Sequence, residues 1–67
     1  MTERIDNIVF ELRTKKGMTQ GALADILSVS RQTVIAIEKG NYTPSVLLAL
    51  KIAKIFKKSV EDIFTMS

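Results

Sequence analysis

With 67 residues, the chain is long enough for one small domain, which we expect to span residues 1–67. It contains no cysteine and no histidine, so it lacks disulfide bonds, the common ligands of zinc and the usual general base of enzymes. Ten lysines and arginines against seven aspartates and glutamates give a net charge of +3, the sign that binding to nucleic acid requires. A small positive charge also serves solubility alone, so charge by itself leaves the function open.

Neither a membrane span nor an export signal is evident in the sequence. The apolar runs fall short of the roughly 18 residues that cross a bilayer as a helix. The first residues include acidic side chains and have no apolar segment of the signal-peptide type. We therefore expect a cytoplasmic protein without a membrane partner.

The first predicted helix runs from Thr2 or Glu3 to Lys16. Its apolar positions recur at helical spacing and are Ile5, Ile8, Val9 and Leu12. Thr2 is a suitable N-cap, and Glu3 suits the positive end of the helix dipole. Gly17 stands where a left-handed residue commonly ends a helix, and Met18 then joins the core.

Two short helices separated by a very short break are predicted over residues 19–39. The first spans about residues 20–27 behind a Thr19 cap, and the second spans about residues 30–39 with Ser30, another good N-cap residue, at its start. The break at Ser28-Val29 is too short for an antiparallel helical hairpin, so the two helices are expected to meet at a steep angle. A steep pair joined by such a turn is a helix-turn-helix unit.

The second of these helices divides its side chains between two faces. At 100° per residue, the set expected to face the core consists of Ser30, Thr33, Val34 and Ile37. The opposite set consists of Arg31, Gln32, Ile35 and Ala36. Arginine and glutamine match the major-groove edges of guanine and adenine, while isoleucine and alanine can touch thymine methyl groups. We therefore expect the opposite set to contact DNA bases.

A fourth helix is predicted to start at Thr43-Pro44, with Thr43 as its cap and Pro44 in its first turn, and to continue to about Phe56. Its expected core-facing positions are Val46, Ala49, Leu50, Ile52, Ala53 and Phe56. Ser59, followed by Asp62, predicts a capped fifth helix over residues 60–64.

A second apolar set is expected on the outside of the last two helices. It consists of Leu47, Leu48, Ile55, Ile63 and Met66. Because a helix that is apolar on two faces needs a second burial partner, we expect a two-fold dimer interface within residues 46–66. The alternative is a monomer with scattered apolar side chains on its surface, which is common in soluble proteins.

The chain resembles the helix-turn-helix family of the lambdoid phage repressors and Cro, often called the xenobiotic-response-element family. The likeness extends from about Ile8 to Phe64 and rests on Thr19-Gln20, Leu23-Ala24, Val29-Ser30-Arg31-Gln32-Thr33-Val34, Ile37-Glu38, Gly40 and Thr43-Pro44-Ser45. The resemblance implies an all-α, five-helix bundle of the phage-repressor type, in which helices 2 and 3 form the helix-turn-helix. Ser28 stands where the family usually has glycine, and it is strained if that position requires a positive φ.

The resemblance also implies roles for individual residues. Arg13 is expected to form a structural salt bridge with Glu38, which would join helix 1 to helix 3. The expected contacts to DNA phosphates are Thr19, Gln20, Thr33, Lys39, Asn41 and Tyr42. For Thr33, the alternative is a hydrogen bond within its own helix. For Tyr42, the alternative is packing over helix 4. One interpretation places Arg13, Lys15 and Lys16 near DNA phosphates. For the two lysines, the alternative is a role as charges that stabilise the C-terminal end of helix 1.

These observations predict a nucleoid-associated, sequence-specific regulator of transcription. Its expected partners are double-stranded DNA and a second copy of the chain, on a palindromic operator, with repression by occlusion as the simplest outcome. An alternative is a protein-interaction module of the same fold, such as the antitoxin of a toxin–antitoxin pair. We expect no cofactor, no metal and no small-molecule ligand. Enzyme activity is not expected either, because the sequence offers no glycine-rich phosphate loop and no acid pair in a pocket.

Overall fold

Capping by serine and threonine defines most of the helix starts in this protein. The computed structural model describes residues 3–66, and its elements are β1 (Ile5–Asn7), α1 (Val9–Lys15), α2 (Gln20–Leu27), α3 (Arg31–Glu38), α4 (Val46–Phe56), α5 (Val60–Ile63) and β2 (Phe64–Met66). At the starts of α2 to α5, a hydroxyl accepts a hydrogen bond from a main-chain N–H of the first turn, and these caps are Thr19, Ser30, Ser45 and Ser59. Each bond satisfies an N–H that has no partner within its helix. Within the described residues, the five predicted helices are therefore present in the predicted order.

A two-stranded sheet is present that the prediction of a purely helical chain misses. β1 pairs with β2 antiparallel, in the register Ile5↔Met66, Asp6↔Thr65 and Asn7↔Phe64. The predicted start of the first helix is therefore wrong, because residues 5–7 are extended and α1 begins only at Val9. The partner of β1 lies at the opposite end of the chain, so the spacing of nearby apolar residues could not reveal the pairing. The predicted cap at Thr2 lies outside the described residues.

The core is formed by apolar side chains from all five helices. The largest side chains that are less than 2% exposed are Leu23, Leu27, Ile37, Ile52, Ile63, Val9 and Val34. Leu12 and Met18 are partly buried against this cluster, whereas Ile5 and Ile8 are each 37% exposed. No helix within residues 3–66 is long and apolar enough to cross a membrane.

α4 begins later than predicted, and its inward face is shifted from the predicted one, although Ala49, Ile52 and Ala53 are buried as expected. Ser45, not Thr43, is its cap, so Thr43-Pro44 precedes the helix. Leu48 is only 6% exposed, whereas Val46 and Leu50, both expected in the core, are 77% and 55% exposed. Because α4 carries apolar residues around most of its circumference, helical periodicity does not select the inward face. That face is selected by packing against α2 and α5.

Candidate nucleic-acid interface

The connection between α2 and α3 is a tight turn. Ser28 ends α2 in the left-handed conformation, with φ of 59°. The main-chain N–H groups of Ser28 and Val29 donate hydrogen bonds to the carbonyls of Asp25 and Ala24, at 3.2 and 3.0 Å. Ser28 therefore has the positive φ that glycine would adopt without strain, and serine adopts it at a steric cost.

The outer face of α3 is open to solvent. Val34 and Ile37 point inward and are each 1% exposed. On the opposite side, Arg31 and Gln32 are exposed. Ile35 and Ala36, on the same side, are partly exposed. The four residues expected to contact DNA bases therefore share one accessible side of the helix, which combines polar donors and acceptors with apolar side chains.

Ser30 and Thr33 form a local hydrogen-bonded unit at the start of α3. The Ser30 hydroxyl accepts a hydrogen bond from the main-chain N–H of Thr33 at 3.1 Å, and the two hydroxyl oxygens are 2.9 Å apart. The expectation that Ser30 faces the core is wrong, because capping holds its side chain at the exposed end of the helix. Thr33 is partly buried, and its hydroxyl is already engaged in this local contact.

A buried ion pair joins α1 to the C-terminal end of α3. Arg13 Nε donates to Glu38 Oε2 at 2.6 Å and Nη2 donates to Oε1 at 3.2 Å, between side chains that are 9% and 5% exposed. Arg13 Nη1 also donates to the Met18 carbonyl at 2.8 Å, and the guanidinium lies 5.3 Å from the centroid of the Phe10 ring. The hydrogen bond to Glu38 raises the pKa of Arg13 above its ordinary value, so Arg13 stays charged at neutral pH.

Gln20 connects α2 to the same carboxylate. Its Nε2 donates to Glu38 Oε1 at 3.1 Å. Because an amide nitrogen carries two hydrogens, one further donor remains on Gln20. Gln20 lines an open depression with a volume of about 610 Å³. The other lining residues are Arg13, Thr19, Gly21 and Arg31. The first N–H groups of a helix lack partners within it and carry partial positive charge, so this surface suits an anionic group.

The other expected phosphate contacts lie where the chain leaves α3. Lys39, Asn41 and Tyr42 are exposed there, and Gly40 reverses the chain with φ of 78°. Tyr42 is 46% exposed and shares a shallow groove with residues of the first turn of α4. It therefore borders α4 and is accessible from outside at the same time.

Asn7 makes a contact to α3 that sequence analysis did not identify. Its Nδ2 donates to the Ile37 carbonyl at 2.8 Å, and its Oδ1 accepts a hydrogen bond from the main-chain N–H of Val9 at 3.0 Å. One side chain thus joins β1 to the start of α1 and to the end of α3. The available signal in the sequence was an asparagine ahead of an apolar helix, which is typical of a cap but does not identify a distant carbonyl.

The predicted dimer residues are divided between the surface and the core. Leu47 and Met66 are 64% and 73% exposed. Leu48 and Ile63, at 6% and 1% exposed, are core residues, and Ile55 packs partly buried against the core. The assignment of Leu48 and Ile63 to an exposed interface is wrong, because α4 is rotated relative to the predicted orientation and α5 packs against it, whereas the assignment of Ile55 stays a prediction. Other exposed apolar residues in this part of the molecule are Ile5, Val46 and Leu50.

The sequence matches a known family and close relatives over most of its length. The family model HTH_3, described as helix-turn-helix, matches residues 9–63. The uncharacterized HTH-type transcriptional regulator YgzD of Bacillus subtilis is 55% identical over 58 residues, which cover 87% of this chain and 88% of YgzD. The uncharacterized HTH-type transcriptional regulator MJ0272 of Methanocaldococcus jannaschii is 60% identical over 52 residues, or 78% of this chain and 79% of the relative.

Solved structures share the same arrangement of helices. The restriction-modification controller protein C.AhdI from Aeromonas hydrophila matches with a TM-score of 0.72 and 31% identity, over 81% of this chain and 82% of that chain. The transcriptional regulator VanUg shares the fold, with a TM-score of 0.77 and 20% identity over 100% of this chain and 89% of its own. The chain therefore belongs to the HTH_3 helix-turn-helix family of DNA-binding transcriptional regulators, which are not enzymes.

Proposed function

We propose that this protein is a sequence-specific repressor that binds a palindromic operator in double-stranded DNA as a homodimer. In this proposal α2 and α3 form the helix-turn-helix, within residues 19–39, and α3 is the recognition helix in the major groove. The observation that carries the proposal is the accessible outer face of α3. There Arg31 and Gln32 lie beside two partly exposed apolar residues, Ile35 and Ala36.

The chemistry of this face suits the edges of base pairs. Arg31 can pair with O6 and N7 of a guanine, and Gln32 with N6 and N7 of an adenine. Ile35 and Ala36 supply apolar contact to thymine methyl groups. An isoleucine exposed to water on this face contributes no favourable free energy. Packing the same side chain against a thymine methyl removes apolar surface from water and so favours binding.

The DNA backbone would be held on both sides of the recognition helix. At one side, Thr19 and the remaining N–H of Gln20 lie at the positive N-terminal end of α2, and the Thr33 hydroxyl is near the start of α3. At the other side, the donors are Lys39, Asn41 and Tyr42. Phosphate contacts of this kind fix the register and orientation of a protein on the duplex. Gln20 and Arg13 both form hydrogen bonds to Glu38. The N-terminal end of α2, which would contact the DNA phosphates, is therefore attached to α3.

The dimer surface is proposed on the outward side of α4, within residues 46–66. Val46, Leu47 and Leu50 are 77%, 64% and 55% exposed and lie within about 100° of one another around the helix. Ile5 and Met66 face each other across the sheet, and Ile5 borders a groove together with Val46. Two-fold association through this patch would double the DNA contacts and place the recognition helices about 34 Å apart on one face of the duplex.

Repression would follow from occupancy of a promoter by such a dimer. C.AhdI, which shares 31% identity and the fold, is a controller protein of a restriction-modification system, and this supports a regulatory role for the present chain.

A selection from random double-stranded DNA at roughly physiological salt, which suppresses nonspecific binding, tests the proposal. The expected result is an enriched inverted repeat whose half-sites are about one helical turn apart. A variant that combines Arg31→Ala and Gln32→Ala is the matched control, since both side chains are exposed and the fold should persist while enrichment is lost. A single half-site would retain the DNA-binding role and reject the dimer. No enrichment, together with co-purification of a second protein, would replace the repressor by a protein-interaction module.

A further inference from the structure

Much of the positive charge of this protein lies away from α3. Among residues 3–66, two ion pairs occupy Arg4, with Asp6, and Arg13, with Glu38. Near the reading face, the basic side chains outside these pairs are Arg31 and Lys39. The others belong to α1 and α4 or follow them directly, and they are Lys15, Lys16, Lys51, Lys54, Lys57 and Lys58. The proposed DNA contacts leave this second group without a role.

Three of these lysines surround an apolar groove where α1 and α4 end. Lys15, Lys16 and Lys58 line the groove, whose volume is about 300 Å³, and Leu12 and Phe56 form its apolar part. Leu12 and Phe56 are both partly exposed, and no acidic residue lines the groove. Lysines at helix C-termini favourably oppose the helix dipole. That role requires neither a groove nor an accessible aromatic ring between the lysines.

The groove is separate from the proposed DNA-binding surface. Leu12 and Lys16 lie one helical turn apart on the same side of α1, whereas Arg13 is directed to Glu38 on α3. The lining residues come from α1 and from the end of α4, and none belongs to α2 or α3. A molecule in the groove would therefore not compete with DNA for α3.

We infer that this groove docks an acidic segment of a partner protein in which carboxylates flank one aromatic or large aliphatic side chain. The apolar side chain packs on Leu12 and Phe56, and the carboxylates pair with the surrounding lysines. The volume is at the lower end of the range of ligand pockets and suits one large side chain. A DNA backbone would complement the charge but would leave the apolar part of the groove unused, so the observations favour a peptide. This inference does not depend on the proposed repressor function.

Fluorescence anisotropy with a labelled, glutamate-rich peptide that carries one central phenylalanine tests the inference on the full chain. The variant Lys16→Glu with Lys58→Glu should bind the peptide about tenfold more weakly, because it replaces exposed ion pairs by repulsion. The matched control, Lys51→Glu with Lys54→Glu, makes the same change in net charge on the opposite side of α4 and should bind nearly as the native protein does. Replacing the peptide phenylalanine by alanine should also weaken binding.

Several outcomes would overturn the inference. Equal losses in the two double variants would show a general charge effect, and equal binding of the phenylalanine and alanine peptides would remove the role of the groove. The absence of any peptide binding by the native protein would reject it outright. The variant Lys16→Glu with Lys58→Glu is also tested for DNA binding. If its DNA affinity falls, if the loss grows with the length of flanking duplex and if peptide binding is unchanged, then the lysines contact DNA and not a peptide. If thermal unfolding shows that the glutamate variant is not folded, Lys16→Gln with Lys58→Gln takes its place, and a smaller loss in the same direction is expected.

Discussion

Asn7 Nδ2 donates a 2.8 Å hydrogen bond to the main-chain carbonyl of Ile37, so strand β1 holds the C-terminal end of α3. The same carbonyl accepts a hydrogen bond from the N–H of Gly40 at 3.0 Å. The Arg13–Glu38 pair attaches this end of α3 to α1 independently. The orientation of α3 is therefore fixed from the sheet and from the first helix, both of which lie outside the segment that would read DNA.

Replacing Asn7 by alanine should lower the free energy of unfolding by about 1–2 kcal/mol, because the Ile37 carbonyl loses a donor and the Val9 N–H loses its acceptor. Urea unfolding measures the change. Asn7→Asp separates the two bonds, since it keeps the acceptor for Val9 but places a carboxylate against the Ile37 carbonyl, and it should cost at least as much. A native-like stability of Asn7→Asp would mean that the bond to Ile37 contributes nothing.

Breaking the buried ion pair should be more costly than breaking a surface pair. Arg13→Ala should lower stability by about 3–5 kcal/mol, because Glu38 is then left charged at a site where its side chain is 5% exposed. The double variant Arg13→Met with Glu38→Leu should recover much of this loss, since neither charge remains buried without a partner. Thermal and urea unfolding of the three proteins test this. If Arg13→Ala were as stable as the native protein, the pair would have no structural role.

Single substitutions on α3 should change base preference, not affinity in general. Arg31→Ala or Gln32→Ala should cost about 1–3 kcal/mol at one base position and relax specificity there. Lys39→Ala is the contrasting variant, because loss of a phosphate contact should weaken binding to all sequences and reduce the salt dependence by about one ion. Binding to a panel of operator variants at several salt concentrations measures both effects. Uniform weakening by Arg31→Ala and Gln32→Ala would remove both residues from base recognition.

The left-handed conformation of Ser28 strains the backbone, and a glycine at this position should relieve the strain. Ser28→Gly should raise the free energy of unfolding by about 0.5–1 kcal/mol, since glycine adopts φ of 59° without the clash of a Cβ atom. Gly40→Ala should act in the opposite direction by about 1 kcal/mol. Its φ is 78°, and a Cβ atom there would meet nothing within 4 Å, so the cost would come from the backbone alone. Chemical denaturation of both variants tests the pair, and a destabilised Ser28→Gly would contradict it.

The outward side of α4 should control association. Leu47→Glu with Leu50→Glu should give monomers with weak operator binding, because charge replaces side chains that are 64% and 55% exposed. Ile26→Glu is the matched control, since Ile26 is 57% exposed on α2 and lies outside the proposed patch. Leu48→Glu should instead unfold the chain, because Leu48 is 6% exposed. Analytical ultracentrifugation measures the mass of each variant. An unchanged mass for Leu47→Glu with Leu50→Glu would reject this dimer surface.

Short-range chemistry made much of this structure predictable. Thr19 and Ser59 are followed by the helices they were expected to cap, because a capping hydroxyl and the N–H that donates to it are only a few residues apart. The outer face of α3 was predictable for the same reason, since one helix of known start fixes which residues share a side. Gly17 adopts the positive φ expected of a residue that ends a helix.

The sequence by itself therefore determined the order of the helices, most of their ends and the chemistry of the face of α3. Only the tertiary structure decided the pairing of β1 with β2, the contact of Asn7 with Ile37 and the side of α4 that is buried. Each of these depends on groups far apart in the chain, or on a helix with apolar residues on several sides. Local spacing carries no information about such partners, and packing of the complete core selects among the arrangements that the local pattern allows.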